Sequence, residues 1–128
     1  MIMNFKIDTK EKFQEITVLE SNLTANMTDS LGDLFKGILE KENQNVILNF
    51  EKPESMDPSF AKSLAAIQNK FYETGNSFVV CGLNKNIEAM LEENELFESM
   101  NIAPTLSEAW DIVQMEEIER ELMDGFDE

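Results

Sequence analysis

Twenty-six carboxylates set against ten Lys and Arg are the most numerous chemically capable groups in this chain. Paired acid/base catalysis needs two carboxyls converging in one pocket, and the sequence singles out no pair. Glu92, Glu93, Glu95 and Glu98 read instead as the solvated face of a helix. Histidine is absent. That excludes the Ser-His-Asp and Cys-His nucleophiles and every His-bearing zinc site, because no other side chain titrates near neutrality without a large shift. Cys81 is the one cysteine, so no internal disulfide can form, and its apolar run Ser77-Phe78-Val79-Val80-Cys81 makes it a small buried hydrophobe. The five glycines are scattered singly, with neither Gly-x-Gly-x-x-Gly nor Gly-Lys-Ser/Thr. No cofactor and no metal are expected.

One further stretch, Asn49-Phe50-Glu51-Lys52-Pro53-Glu54-Ser55-Met56-Asp57-Pro58-Ser59, leads from an apolar strand through a polar loop into a helix. Asp57 suits the cap and Pro58 the first helical position. A response-regulator receiver would need an aspartate ending the central strand and an acidic pair beside it. Here Asn49 ends the strand and no such pair stands near.

The elements that position this stretch follow from periodicity. Met3, Phe5 and Ile7 alternate with polar residues, as do Ile16 and Val18, which gives two antiparallel strands joined by a solvated turn. Leu31, Leu34, Phe35, Ile38 and Leu39 share one side of a helix that starts near Thr28 and Asp29. Gly32 and Gly37 within it suggest close packing against a neighbour. Val46 to Phe50 and Phe78 to Cys81 are short apolar runs, as expected of strands covered on both faces. A helix from Asp57-Pro58 to Glu73 carries Phe60, Leu64, Ile67 and Phe71 on one stripe and ends at Gly75-Asn76. Asn84 opens a helix with Ile87, Met90 and Leu91, Ile102-Ala103-Pro104 is extended, and Thr105 with Glu108 forms a capping box for a last helix. The order β-β-α-β-α-β-α-β-α implies a mixed sheet packed by helices.

With 128 residues the chain fits one domain that buries roughly two-thirds of its unfolded surface. A net charge of −16 and a pI near 4.2 exclude nucleic acid and anionic lipid surfaces as partners, since the repulsion extends over a Debye length of roughly 10 Å. A hydrophobic content of 42% argues against a wholly disordered acidic chain. No stretch approaches the ~20 apolar residues of a membrane span, residues 1–8 show no basic segment followed by a long apolar stretch, so no secretory leader is expected, and a reducing cytoplasm is the expected location.

From Asn49 to Asp57 the chain resembles the STAS domain family of bacterial anti-sigma factor antagonists, with an amide ending the strand, an apolar residue, then aspartate at the helix start. The resemblance runs over residues 3–114 and takes in the hairpin, Gly75 before Phe78-Val79-Val80, the helix Asn84 to Leu91, and Thr105-Leu106-Ser107-Glu108-Ala109. It implies an α/β fold: a STAS-like mixed sheet with an N-terminal antiparallel hairpin, packed by about four helices. The domain would span residues 1–114, followed by an acidic helical extension over 115–128. In the family the aspartate precedes Ser-Ser/Thr-Gly, and a serine there is phosphorylated by a cognate kinase. Here Asp57 matches, Pro58 replaces the usual phosphoserine, Ser59 matches the second hydroxyl, and Phe60 replaces glycine. Asn49 stands where aspartate is common, and Ser21 where a glycine often precedes the Leu23-type residue.

The resemblance implies a non-enzymatic regulator, an anti-sigma factor antagonist that binds an anti-sigma factor or serine kinase in a partner-switching pathway, with Ser59 as its phosphorylation site. The alternative it implies is a docking subunit of a larger assembly, such as a lipid-transport ABC complex. The partner surface would comprise Asn22, Leu23, Thr24, Glu54 and Ser55 with the outward face of the second helix, Ser59, Lys62, Ser63 and Ala66. A phosphate on Ser59 would gain ~0.3–1 kcal/mol from the helix N-terminus, and up to ~2. A single carboxylate at roughly 6 Å in a dielectric of ~40 opposes it by about 1.4 kcal/mol, and Glu51, Glu54 and Asp57 are all near in sequence. Phosphate would then act by repelling a docked partner. In the tail, Ile118, Leu122, Met123 and Phe126 follow a helical pattern and are expected to pack back on the domain, with dimerisation or partner docking as the other use.

Overall fold

The computed structural model describes residues 3–41 and 44–126, the side chains of Lys41 and of residues 124–126 excepted; Phe126 of the tail stripe therefore lies outside the described side chains. β1 (Phe5–Thr9) and β2 (Phe13–Val18) form the expected antiparallel hairpin, with Phe5 opposite Val18 and Thr9 opposite Gln14. Two short strands come next in the chain's pairing scheme, β3 (Asn22–Leu23) and later β5 (Ser55–Met56), which pair parallel with each other as a separate ribbon. The main sheet is completed by β4 (Asn45–Asn49), β6 (Phe78–Cys81) and β7 (Ile102–Ala103), all parallel to β2, in the order β1-β2-β4-β6-β7. Four helices intervene: α1 (Thr28–Lys41), α2 (Pro58–Glu73), α3 (Lys85–Glu93) and α4 (Leu106–Phe126).

Successive side chains on a strand point to opposite faces, so the apolar runs of β4 and β6 need cover on both. Val46, Leu48, Phe78 and Val80 face α1, α2 and α3, while Ile47, Val79 and Cys81 face Ala109 and Val113 of α4. On the first face Phe35, Phe71 and Phe78 meet with ring centroids 5.1–5.7 Å apart. Burial and the Glu51 and Glu15 carboxylates push the Cys81 thiol up to about 12, so it stays protonated and serves as an apolar filler.

Some expectations change. An ideal Cβ at Gly32 or Gly37 meets nothing within 4 Å, so these glycines mark no close helix contact. The third helix ends at Glu93; Glu95 has left it with φ 59°, and Glu98 lies beyond, although both remain exposed. The helix stripe of α2 includes a polar member: buried Gln68 donates to the Ser99 carbonyl at 3.0 Å and accepts from the Asn101 N–H at 2.7 Å.

Candidate functional site

The loop between β4 and α2 is held from several sides. Asn49 folds back so that its Oδ1 accepts the Glu51 N–H at 2.9 Å. The Glu54 N–H then donates to the Ser21 carbonyl at 2.7 Å, and the Asp57 N–H to the Leu23 carbonyl at 2.8 Å. These bonds draw Ser55 and Met56 alongside Asn22 and Leu23, and the Ser55 hydroxyl donates to Asn22 Oδ1 at 2.7 Å. From the other side Asn84 donates to the carbonyls of Pro53 (3.3 Å) and Glu54 (3.0 Å), while its own Oδ1 accepts the Ile87 N–H and caps α3.

Asp57 occupies the N-cap position of α2 but does not cap it with its side chain. Its Oδ2 accepts the Ala25 N–H at 3.0 Å across the loop, at the start of the 3-10 turn Ala25–Met27 that leads into α1. The expected local cap is thus a tie between two segments. Exchanging Asp57 for alanine should cost about 1 kcal/mol in urea unfolding and speed hydrogen exchange at the Ala25 amide; Asp57→Asn, which keeps an acceptor oxygen, should recover most of both. Equal loss in both variants would sink the assignment.

The structure brings Asn22, Thr24, Glu54, Ser55 and Asp57 together at this end of the sheet, and presents Ser59, Lys62 and Ala66 in the open on α2, with Ser63 half-buried. Leu23 is a correction. Expected at the partner surface, it is 1% exposed and packs in the core, because the parallel pairing with β5 turns it inward. The Thr24 hydroxyl is enclosed without a hydrogen-bond partner among the described residues. A shallow cleft of about 500 Å³ lies beside this ribbon, lined by Ser21, Asn22, Thr24, Asn26 and Lys52. Sequence reasoning missed Gly82, whose φ of +78° lets the chain pass against Glu51, and the second role of Asn84, which a cap motif does not reveal.

A larger cleft of about 1030 Å³ lies at the opposite end of the sheet, under the second half of α4. Two of its carboxylates are held by donors: Glu116 accepts from Tyr72 and Asn101, and Glu117 from Asn45. Burial, with Glu116 beside it, pushes the Tyr72 hydroxyl up to about 12.

Together the mixed sheet, its antiparallel opening hairpin and the helices on both faces define a small α/β domain of the kind built from a hairpin followed by parallel strands joined through helices. A sequence profile described as the STAS domain matches residues 6–109, and the chain belongs to that family. Among solved structures it is similar to an anti-sigma factor antagonist from Mycobacterium paratuberculosis, with a TM-score of 0.75 at 16% identity over 88% of this chain and 94% of that one. It is similar also to the Bacillus cell fate determinant SpoIIAA in its phosphorylated form, with a TM-score of 0.63 at 16% identity over 86% and 99% of the two chains. A third likeness is to the mouse Slc26a9 anion transporter, at 0.63 and 13% identity, covering 81% of this chain but 18% of that one. No curated protein sequence matches the chain. Proteins of the family are generally regulators rather than enzymes. No helix among the described residues is long and apolar enough to cross a membrane.

Proposed function

We propose that the chain is an anti-sigma factor antagonist that works by binding an anti-sigma factor or serine kinase, and that Ser59 is its phosphorylation site. The observation that carries this reading is the tie between the loop before α2 and the Asn22–Ala25 segment. It makes one continuous surface of two segments distant in sequence, with the exposed Ser59 at the second position of α2 beside it. The Asp57 carboxylate is engaged with Ala25, so the first-turn amides of α2 are not capped by it. A phosphate on Ser59 would meet those amides and the exposed Lys62 one turn on, with Glu51, Glu54 and Asp57 opposing it. The net effect falls on the partner: about two charges are added to a docking surface that is already acidic. Both solved likenesses to antagonists, one of them phosphorylated, support the reading.

Incubation with the cognate kinase and ATP, followed by mapping of the product, should place the phosphate on Ser59, and Ser59→Ala should remove it. Phosphate on another residue, or none, overturns the site. Ser59→Asp should weaken partner binding about tenfold or more without changing the unfolding midpoint.

A second reading has its own support: part of an anion transporter shares the fold, so a domain of this kind also serves inside a larger transport protein. There it would be a docking unit without phosphorylation, as in the lipid-transport ABC alternative. Pro58 and Phe60, which depart from the family's phosphorylation motif, favour it. Affinity capture discriminates, since recovery of an ATPase subunit supports the docking unit and recovery of a serine kinase or sigma regulator supports the switch.

A further inference from the structure

The second half of α4 presents its surfaces in the reverse of the usual order. Its polar side faces the domain. Glu116 accepts from Tyr72 at 2.8 Å and Asn101 at 3.3 Å; Glu117 accepts from Asn45 at 3.0 Å and lies 3.8 Å from the Lys12 ammonium. Arg120 donates to the Ser77 hydroxyl at 3.1 Å and to Asn45 Oδ1 at 3.2 Å. These bonds reach β4, the residues just before β2, β6 and β7, and α2, so they fix the rotation of the helix about its own axis.

With that rotation fixed, Met115, Ile118, Leu122 and Met123 are carried outward and stand 56–64% exposed. Ile118, Leu122 and Met123 do not pack back on the domain as the sequence suggested, because the side facing the domain is already taken by Glu116, Glu117 and Arg120. Positions 115, 118 and 122 follow one another at three and four residues, the spacing of a seam that pairs with another helix. Exposed carboxylates border it: Asp111 precedes the stripe, and Glu119 and Glu121 lie within and beside it. The one base in α4, Arg120, is turned inward.

We propose that this face docks a cationic amphipathic helix of a partner protein, its apolar side chains on the stripe and its Lys or Arg against the flanking carboxylates. Charge complementarity selects this occupant. A second copy would bring Asp111, Glu119 and Glu121 against the same residues of its twin, like charges in a partly desolvated contact, on molecules that each carry −16. Basic flanks turn the same carboxylates into attraction. The surface begins beyond residues 6–109 of the family match, and lies on the sheet face opposite α2, where α4 reaches the start of β4 and β6. It does not depend on the switching role proposed for Ser59.

The test uses the full chain with labelled Met, Ile and Leu methyls, titrated with a synthetic helical peptide that has a leucine stripe flanked by Lys and Arg. A peptide with the same stripe flanked by Glu is the comparator. Expected are shifts at the methyls of Met115, Ile118, Leu122 and Met123, an affinity that falls steeply with added salt, and no binding of the Glu-flanked peptide. Leu122→Asp and Ile118→Gln should each weaken binding about tenfold or more while leaving the thermal midpoint unchanged. The proposal is overturned by equal binding of both peptides, by shifts confined to other methyls, or by no binding. It is overturned equally if sedimentation equilibrium of the protein alone shows a dimer that Leu122→Asp abolishes, since the stripe would then belong to a second copy.

Discussion

Phe71→Ala should remove about 3–5 kcal/mol of stability in urea unfolding. The side chain is fully buried on α2 and touches Phe35 of α1 edge-on at 5.7 Å and Phe78 of β6 at 5.1 Å. It is therefore the point at which two helices and the sheet are fastened together. Alanine is the best helix former, so the backbone adds no cost and the loss reports packing. Two contributions sum: the apolar surface no longer removed from water with the cavity left behind, and two ring–ring contacts worth about 0.5–1.5 kcal/mol each. Phe71→Leu, which keeps much of the volume, should cost less than half as much. A domain of this size is stable by about 5–15 kcal/mol, so the alanine variant loses a large share of it and should melt well below the parent. A cost under about 1.5 kcal/mol for Phe71→Ala would show that the cluster collapses around the gap.

That cluster was legible in outline. Phe35, Phe71 and Phe78 lie on stripes whose period marks two helices and a strand, and an apolar stripe must be buried against something. Short runs without alternation gave β4 and β6 for the same reason. Periodicity is silent where an element is two residues long, so β3 and β5 passed as loop. It is silent too about bonds between distant segments. Asp57 looks like a cap from its neighbours, and only the approach of Ala25 reveals the tie. Leu23 was assigned to the partner surface with its whole segment through the family resemblance, yet one apolar residue in a polar segment is the residue that the core takes. Gly32 and Gly37 misled in the opposite sense, since a glycine in a helix signals close packing only when something is there to pack. In α4 the apolar stripe was visible, but its direction depended on Asn45, Ser77 and Tyr72, which no local pattern connects to Glu116, Glu117 and Arg120.

Gly82→Ala should cost about 2–4 kcal/mol and disturb the candidate site more than any substitution on its surface. Gly82 follows β6 with φ +78°, a backbone conformation that costs an L-residue about 1–2 kcal/mol. A Cβ there would also lie 2.7 Å from Glu51 Cγ and 3.2 Å from the Glu51 backbone nitrogen. The Glu51 side chain is exposed and can swing away, but its nitrogen is held by Asn49 Oδ1 at 2.9 Å, and the preceding Phe50 N–H by the Cys81 carbonyl at 2.9 Å. The backbone of the loop must therefore yield, and with it the segment that carries Glu54, Ser55 and Asp57. Amide shifts should change from Glu51 to Asp57 and, through the Asp57 tie, at Ala25, while those of α4 stay in place. Adding Glu51→Ala leaves a Cβ but no Cγ, so the double variant should regain the part of the loss due to the side-chain clash and keep the part due to φ and the Glu51 nitrogen. If Gly82→Ala left the Glu51–Asp57 amides unmoved, the loop would not be positioned by its approach to β6. If the loop does move, partner binding should fall by more than the lost stability explains, because the surface joining Asn22 and Ser55 is built on that approach.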